Sequence, residues 1–132
     1  MAKLTIEDLI NAKEIVKEQG KIQTRDIFIK KLGGELEAHS LSKGDLADVR
    51  AKMNVDYKKG TYYMIYMSID DLRNPQLLEA YGATKDNLKV VERLFPHDNE
   101  ITAIGNILMK LNGLNSLAPG EIYVKSVEDL KN

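Results

Sequence analysis

Thr61-Tyr62-Tyr63-Met64-Ile65-Tyr66-Met67-Ser68-Ile69 can be read in two ways, and the choice decides the fold class. Its β-branched and aromatic composition suits a strand. Its spacing suits a helix, because Tyr62, Ile65, Tyr66, Ile69 and Leu72 recur as one face of a 3.6-residue period. The helical spacing continues to Leu72, further than an ordinary strand would run, so a helix is expected. Outward from it, the chain is expected to be α+β and mainly α. An N-terminal helix comes first, then a β-hairpin near 22–40, a bundle of four or five short helices and a short C-terminal strand, all in a single domain over 1–132.

Upstream, Thr5 and Asp8 have capping-box spacing, with Leu4 and Leu9 at the staple positions. Ile6, Leu9, Ile10 and Val16 follow as a helical stripe, and Gly20 ends the helix. Ile22, Thr24, Ile27, Ile29, Leu32, Leu36 and Ala38 then favour extended structure. Strands are expected near 22–32 and 35–40, with Gly33-Gly34 as a two-residue hairpin turn. Ile27-Phe28-Ile29 breaks strict alternation and leaves room for a bulge. Ser42 and Asp45 repeat the capping device, with Leu41 and Leu46 as staple. Leu46, Val49 and Met53 form the buried stripe of that helix, and Asn54 to Gly60 reads as a loop.

Downstream, Asn74-Pro75 is a cap followed by proline at the first helical position, with Gly82 as the stop. Thr84 or Asp86 opens a helix carrying Leu88, Val91, Leu94 and Phe95, closed by Pro96. Asp98 opens a longer one carrying Ile101, Ile104, Leu108 and Leu111, ended at Gly113. Ala118-Pro119-Gly120 reads as a turn, Glu121 to Lys125 as a short strand, and Ser126 to Leu130 as a final helical turn.

Composition narrows the function classes. The chain has 132 residues, no cysteine and a net charge of −1. Disulfides, thiolate catalysis and Cys-based zinc sites are excluded. Residues 1–60 hold 12 basic and 10 acidic side chains, and residues 61–132 hold 7 and 10. Neither half carries the cationic cluster that releases counterions on nucleic acid, and Lys30-Lys31 and Lys58-Lys59 read as solvated surface. Met1 to Asp8 lacks the apolar stretch of a signal peptide, and the run Tyr62–Met67 is too short to span a bilayer.

No catalytic apparatus is expected either. His39 and His97 lie in separate segments and read as surface residues. Gly33-Gly34 lacks the Lys-Ser/Thr and the spacing of a phosphate loop, and no G-x-S-x-G elbow is present. Asp70 and Asp71 are adjacent and point apart on a helix, so they form no acid–base pair. Asp98-Asn99-Glu100 suits a helix N-terminus. No cofactor or metal is expected. Tyr62, Tyr63, Met64, Tyr66 and Met67 are the unusual concentration: Tyr and Met are favoured at interfaces, and equally at home in a core with tyrosine hydroxyls reaching solvent.

The stretch from Tyr62 to Ser116 resembles the tail assembly chaperones of long-tailed bacteriophages and prophages, the type common in Gram-positive hosts. The resemblance rests on the aromatic helix, then Leu77, Leu78, Tyr81 and Gly82. Val90, Val91, Leu94 and Phe95 follow, then Glu100, Ile101, Ile104, Ile107, Leu111 and Gly113. Pro96-His97-Asp98-Asn99 stands where that family has a proline-glycine step. The resemblance implies a non-enzymatic protein of the bacterial cytoplasm, absent from the mature virion. It would bind the tape measure protein, assist tail tube assembly, and contact tail tube protein or further copies of itself, with no nucleic acid or membrane partner. Many such chaperones exist in two frameshifted forms, and this length would suit the short one. Tyr62, Tyr63, Met64, Tyr66 and Met67, with the outer hairpin edge, are the expected partner-binding residues. A general helical adaptor unrelated to phage tails is the alternative.

Overall fold

The computed structural model describes residues 3–125. They fall into two compact units, residues 3–21 with 116–125, and Ile22–Asn115.

The first unit carries α1 (Ile6–Asn11) and α2 (Lys13–Gln19). Thr5 caps α1: its hydroxyl accepts from the Asp8 amide at 3.1 Å, and the Asp8 carboxylate accepts from the Thr5 amide at 2.8 Å. That reciprocal box is the expected one, and it holds the Asp8 carboxyl below its usual range. The single helix expected to run to Gly20 is instead two, jointed at Ala12, whose ψ of −3° departs from helical geometry. The joint is mild, since the Val16 amide still donates to the Ala12 carbonyl at 3.0 Å. Residues 116–125 form no strand, so the expected strand at Glu121 to Lys125 is not found. Gly120, at φ +89°, makes the turn after Pro119. The helical turn expected at Ser126 to Leu130 lies outside the described residues.

The second unit begins with the hairpin, β1 (Thr24–Ile29) and β2 (Gly34–His39). The strands pair antiparallel in an unbroken register from Thr24 opposite His39 to Ile29 opposite Gly34, with no bulge. The turn is longer than the expected two residues. Lys30–Leu32 form a 3₁₀ turn and Gly33 takes φ +71°, while Gly34 belongs to β2. Only one of the two glycines therefore needs the left-handed region.

Helices α3 (Lys43–Val55) and α4 (Tyr57–Ser68) follow. The expected loop over Asn54 to Gly60 is a single-residue joint. Asp56 ends α3 and caps α4, its carboxylate accepting from the Lys59 amide at 3.2 Å. Lys58, Lys59 and Gly60 look like loop residues in sequence, but Gly60 serves packing: a Cβ there would stand 2.6 Å from the Met53 nitrogen and 2.7 Å from its Cα. The missing side chain lets α3 and α4 cross closely. The doubtful stretch around Tyr62 is helical, as its spacing indicates.

A 3₁₀ turn at Asp70–Arg73 leads into α5 (Pro75–Ala80), then α6 (Lys89–Leu94) and α7 (Asp98–Leu111). Asn74 caps α5 through its Oδ1, with Pro75 at the first position. Helix α6 starts at Lys89, later than the expected Thr84 or Asp86, with no side-chain cap; residues 84–88 are bend and turn. The fold is thus α+β and mainly α. Helix α4 is its centre, packed against α3, α6 and α7. Met64, Ile65, Ile69, Leu72, Val90, Val91, Phe95 and Leu108 are essentially solvent-free, and Ile27 and Ala38 bring the inner hairpin face onto this core.

Candidate partner-binding surfaces

The five residues expected to bind a partner divide by depth. Met64 is 0% exposed and Tyr62 is buried, so neither offers surface to another molecule. Tyr63, Tyr66 and Met67 are half-buried at the margin of the core. Each tyrosine ring carries a cation: Lys52 Nζ lies 4.8 Å from the Tyr63 centroid, Lys58 Nζ 6.0 Å from Tyr62, and the Arg73 guanidinium 6.0 Å from Tyr66. The cluster is a core helix with tyrosines at its boundary, an arrangement that ring quadrupoles and lysine stems stabilise. Burial also pushes the Tyr63 phenol up, helped by Asp48 and Asp45. A polar side chain at Met64 would be buried without a partner, so it would disturb folding rather than binding alone.

Exposed apolar surface lies elsewhere. Neither α1 nor α2 contains a buried residue. Ile6 is 73% exposed, and Leu4, Leu9, Ile10, Ile15 and Val16 are exposed as well. Ile6, Leu9, Ile10 and Val16 form one continuous face with Lys13 and Lys17. Spacings of three, four and seven put them on one side of the helix. Lys13 and Lys17 lie inside the apolar stripe rather than at its edge. Neither has an ion-pair partner among the described residues.

In the second unit the hairpin presents a different face. Thr24, Asp26 and Phe28 of β1 stand outward, opposite His39, Glu37 and Glu35 of β2. Phe28 is 64% exposed. Asp26 and Glu37 are direct cross-strand neighbours, an opposition of like charges that weakens a sheet. Asp26, Glu35 and Glu37 have no cationic partner among the described residues. The neighbouring Arg25 donates to the Thr24 carbonyl at 2.7 Å. Phe28 also borders a groove of about 260 Å³ between β1 and α7, floored by Ile29, Phe95, Ala103 and Ile107.

Several polar groups that sequence could nominate for chemistry have structural partners. Lys31 Nζ donates to the Leu94 carbonyl at 2.6 Å, pairs with Glu100 at 2.8 Å and lies 5.2 Å from the Phe95 centroid. It clamps the hairpin turn to the end of α6 and the start of α7, and it holds the Glu100 carboxyl below its usual range. Lys58 pairs with Asp98 at 3.0 Å. The His97 amide donates to Glu100 at 3.2 Å. Asp70 and Asp71 do not act together, since Asp70 alone pairs with His39 at 2.7 Å and with Arg73.

His39 was expected to be a solvated surface residue and is instead held at both ring nitrogens. Nδ1 lies 2.8 Å from the Ser40 carbonyl, and Nε2 lies 2.7 Å from Asp70 Oδ1. A carbonyl and a carboxylate only accept, so the two contacts together favour the imidazolium, in which both nitrogens donate. The Ser40 carbonyl is the main cause of a raised His39 pKa, opposed by partial burial and assisted by Asp70. Asp70 is lowered in turn by His39 and then Arg73. Arg73 donates to the Tyr66 and Met67 carbonyls, both at 2.9 Å, satisfying the C-terminal end of α4. The group ties β2 to the turn after α4.

Among the described residues no cluster of His, Asp and Glu is arranged to hold a metal ion. No helix there is long and apolar enough to cross a membrane. No family model, curated protein or solved structure matches the chain.

Proposed function

We propose that this protein is a phage tail assembly chaperone, which binds the tape measure protein in the bacterial cytoplasm and assists tail tube assembly without catalysis. The observation that carries the reading is the α1–α2 segment, helical and apolar along one face yet with no buried residue. Isolated helices this short are marginal in water and gain most of their stability from packing an amphipathic face. A face left open in this way is suited to meeting an amphipathic helix of a partner. A tape measure, with its apolar helical stripes not yet enclosed by tube, is such a partner. The proposed family rests on the sequence resemblance between Tyr62 and Ser116, and the proposed surface on α1–α2 in place of the buried Tyr62 and Met64.

Binding to a competing tube subunit would then release the chaperone by mass action. Co-expression with the tape measure protein and affinity capture tests the proposal. Wild-type chain is expected to co-purify with tape measure, and Leu9→Gln with Ile10→Gln is expected to lose it while remaining folded. Failure of the wild-type chain to capture tape measure would reject the phage assignment.

A further inference from the structure

We propose that the apolar face of α1–α2 docks on the acidic outer face of the hairpin of a second copy of this chain. The proposal concerns the protein without a client and does not depend on the tape measure reading.

Whatever covers α1–α2 must meet two demands. It must accept Ile6, Leu9, Ile10 and Val16, and it must neutralise Lys13 and Lys17, which lie within the same stripe. A buried ammonium without a counter-charge is costly. That requirement disfavours the simplest self-pairing, helix against helix. Two α1–α2 stripes laid together would bring four ammonium groups into one seam. Glu14 stands three residues from Lys17 and is its neighbour on the helix surface, but Asp8 is held in the Thr5 cap and Lys13 has no acidic residue three or four positions away, so a helix pair would leave the Lys13 ammonium of both copies in the seam without a counter-charge.

The outer hairpin face meets both demands. It offers three carboxylates, Asp26, Glu35 and Glu37, that have no cationic partner among the described residues, around the exposed ring of Phe28. The groove beside Phe28 continues the apolar floor to Ile107. The hairpin itself gains from the contact, because two lysines would relieve the Asp26–Glu37 opposition. Dimensions agree as well. Residues 6–19 span about 21 Å at 1.5 Å per residue. The six-residue strands of the hairpin span about 20 Å. Each face thus carries the charge, the apolar group and the length that the other lacks.

Light scattering after size exclusion on the full chain tests this. Wild-type protein is expected to run above the mass of one copy and to dissociate as salt rises, since the pairing is partly electrostatic. Lys13→Glu with Lys17→Glu, and separately Asp26→Lys with Glu37→Lys, are each expected to weaken association at least ~10-fold. Helix content by circular dichroism should be retained, as all four positions are exposed. Combining the four substitutions in one chain restores opposite charges and is expected to restore association. Mixing the two double variants should do the same. A wild-type chain that stays at one copy at all concentrations overturns the proposal. So does association that survives either reversal, or a combined variant that stays dissociated. If the lysine reversal lost helicity, the hairpin reversal would still decide the matter, because that chain keeps its own Lys13 and Lys17 and is expected to associate again when mixed with wild-type chain, whose hairpin is acidic.

Discussion

Helix α4 and the segment α1–α2 are both amphipathic and apolar-rich, yet α4 has six buried residues and α1–α2 has none. Their sequences differ less than their surroundings. Helix α4 lies between three other helices, and Gly60 lets one of them approach to backbone contact. The α1–α2 face has Lys13 and Lys17 in its middle, which an apolar core would not accept unpaired. A helical stripe therefore announces that something covers it. The residues interrupting the stripe say what kind of cover it needs. Continuous apolar letters go to a core, and an apolar stripe holding lysines waits for carboxylates.

The sharpest way to break the contrast is to attack the packed region. Phe95 is 1% exposed, at the junction of α6 and α7, and its ring also supports the Lys31 clamp. Phe95→Ala should cost about 3–5 kcal/mol, from lost transfer energy and the cavity left behind. A urea midpoint shift read by circular dichroism checks it. A loss under about 1 kcal/mol would mean that the core is far looser than its burial indicates. Gly60→Ala comes next. The added methyl meets the Met53 backbone rather than a movable side-chain end, so α3 and α4 must separate. The expected cost is about 1–3 kcal/mol, with the same measurement. A neutral result would show that the crossing is not tight.

These two sites also mark how far the sequence could be read. The caps at Thr5, Ser42 and Asn74 were legible, because each is a local bond between a side chain and a nearby amide. The helical reading of α4 was legible from its spacing. Gly60 was not, since a glycine that breaks a helix and a glycine that admits a neighbour are the same letter, and only Met53 separates them. Gly33-Gly34 misled in a similar way: the turn recruits Lys30 to Leu32, and from it Lys31 reaches Glu100 and Leu94, distant in sequence. The Tyr62–Met67 cluster was visible, but its depth was set by α3 together with α6 and α7, the latter two well downstream in the chain. The acidic hairpin face follows from strand register, and register needs the true turn length.

A smaller effect probes the polar tie that fixes the hairpin to the packed region. His39 has a raised pKa in the folded chain, so its stabilisation is full below about pH 6.5, the ordinary imidazole value, and is lost as pH rises through the raised one. Asp70 has a lowered pKa, so its share is present above about pH 3.9 and is lost as pH falls through the lowered value. Stability should therefore decline as pH rises above about 6.5, by up to about 1 kcal/mol because the pair is partly solvated. Asp70→Asn should flatten that decline, as measured by urea midpoints from pH 6 to pH 8.5. A wild-type profile already flat over that range would show that His39 does not carry the proton.

The smallest effect on stability belongs to the face with the largest expected effect on binding. Ile10 is 63% exposed, so Ile10→Gln keeps a good helix former and removes no buried contact. Its unfolding midpoint should move by less than about 0.5 kcal/mol, as for other surface substitutions. Association and client capture should nevertheless fall, because Ile10 sits in the continuous face with Leu9 and Lys13. Denaturation at low and high protein concentration separates the two terms. If α1–α2 is covered only by another copy, wild-type stability rises with concentration and the variant's does not. A concentration-independent loss as large as that of Phe95→Ala would place Ile10 in the chain's own core, and the distinction between the two helices would fall with it.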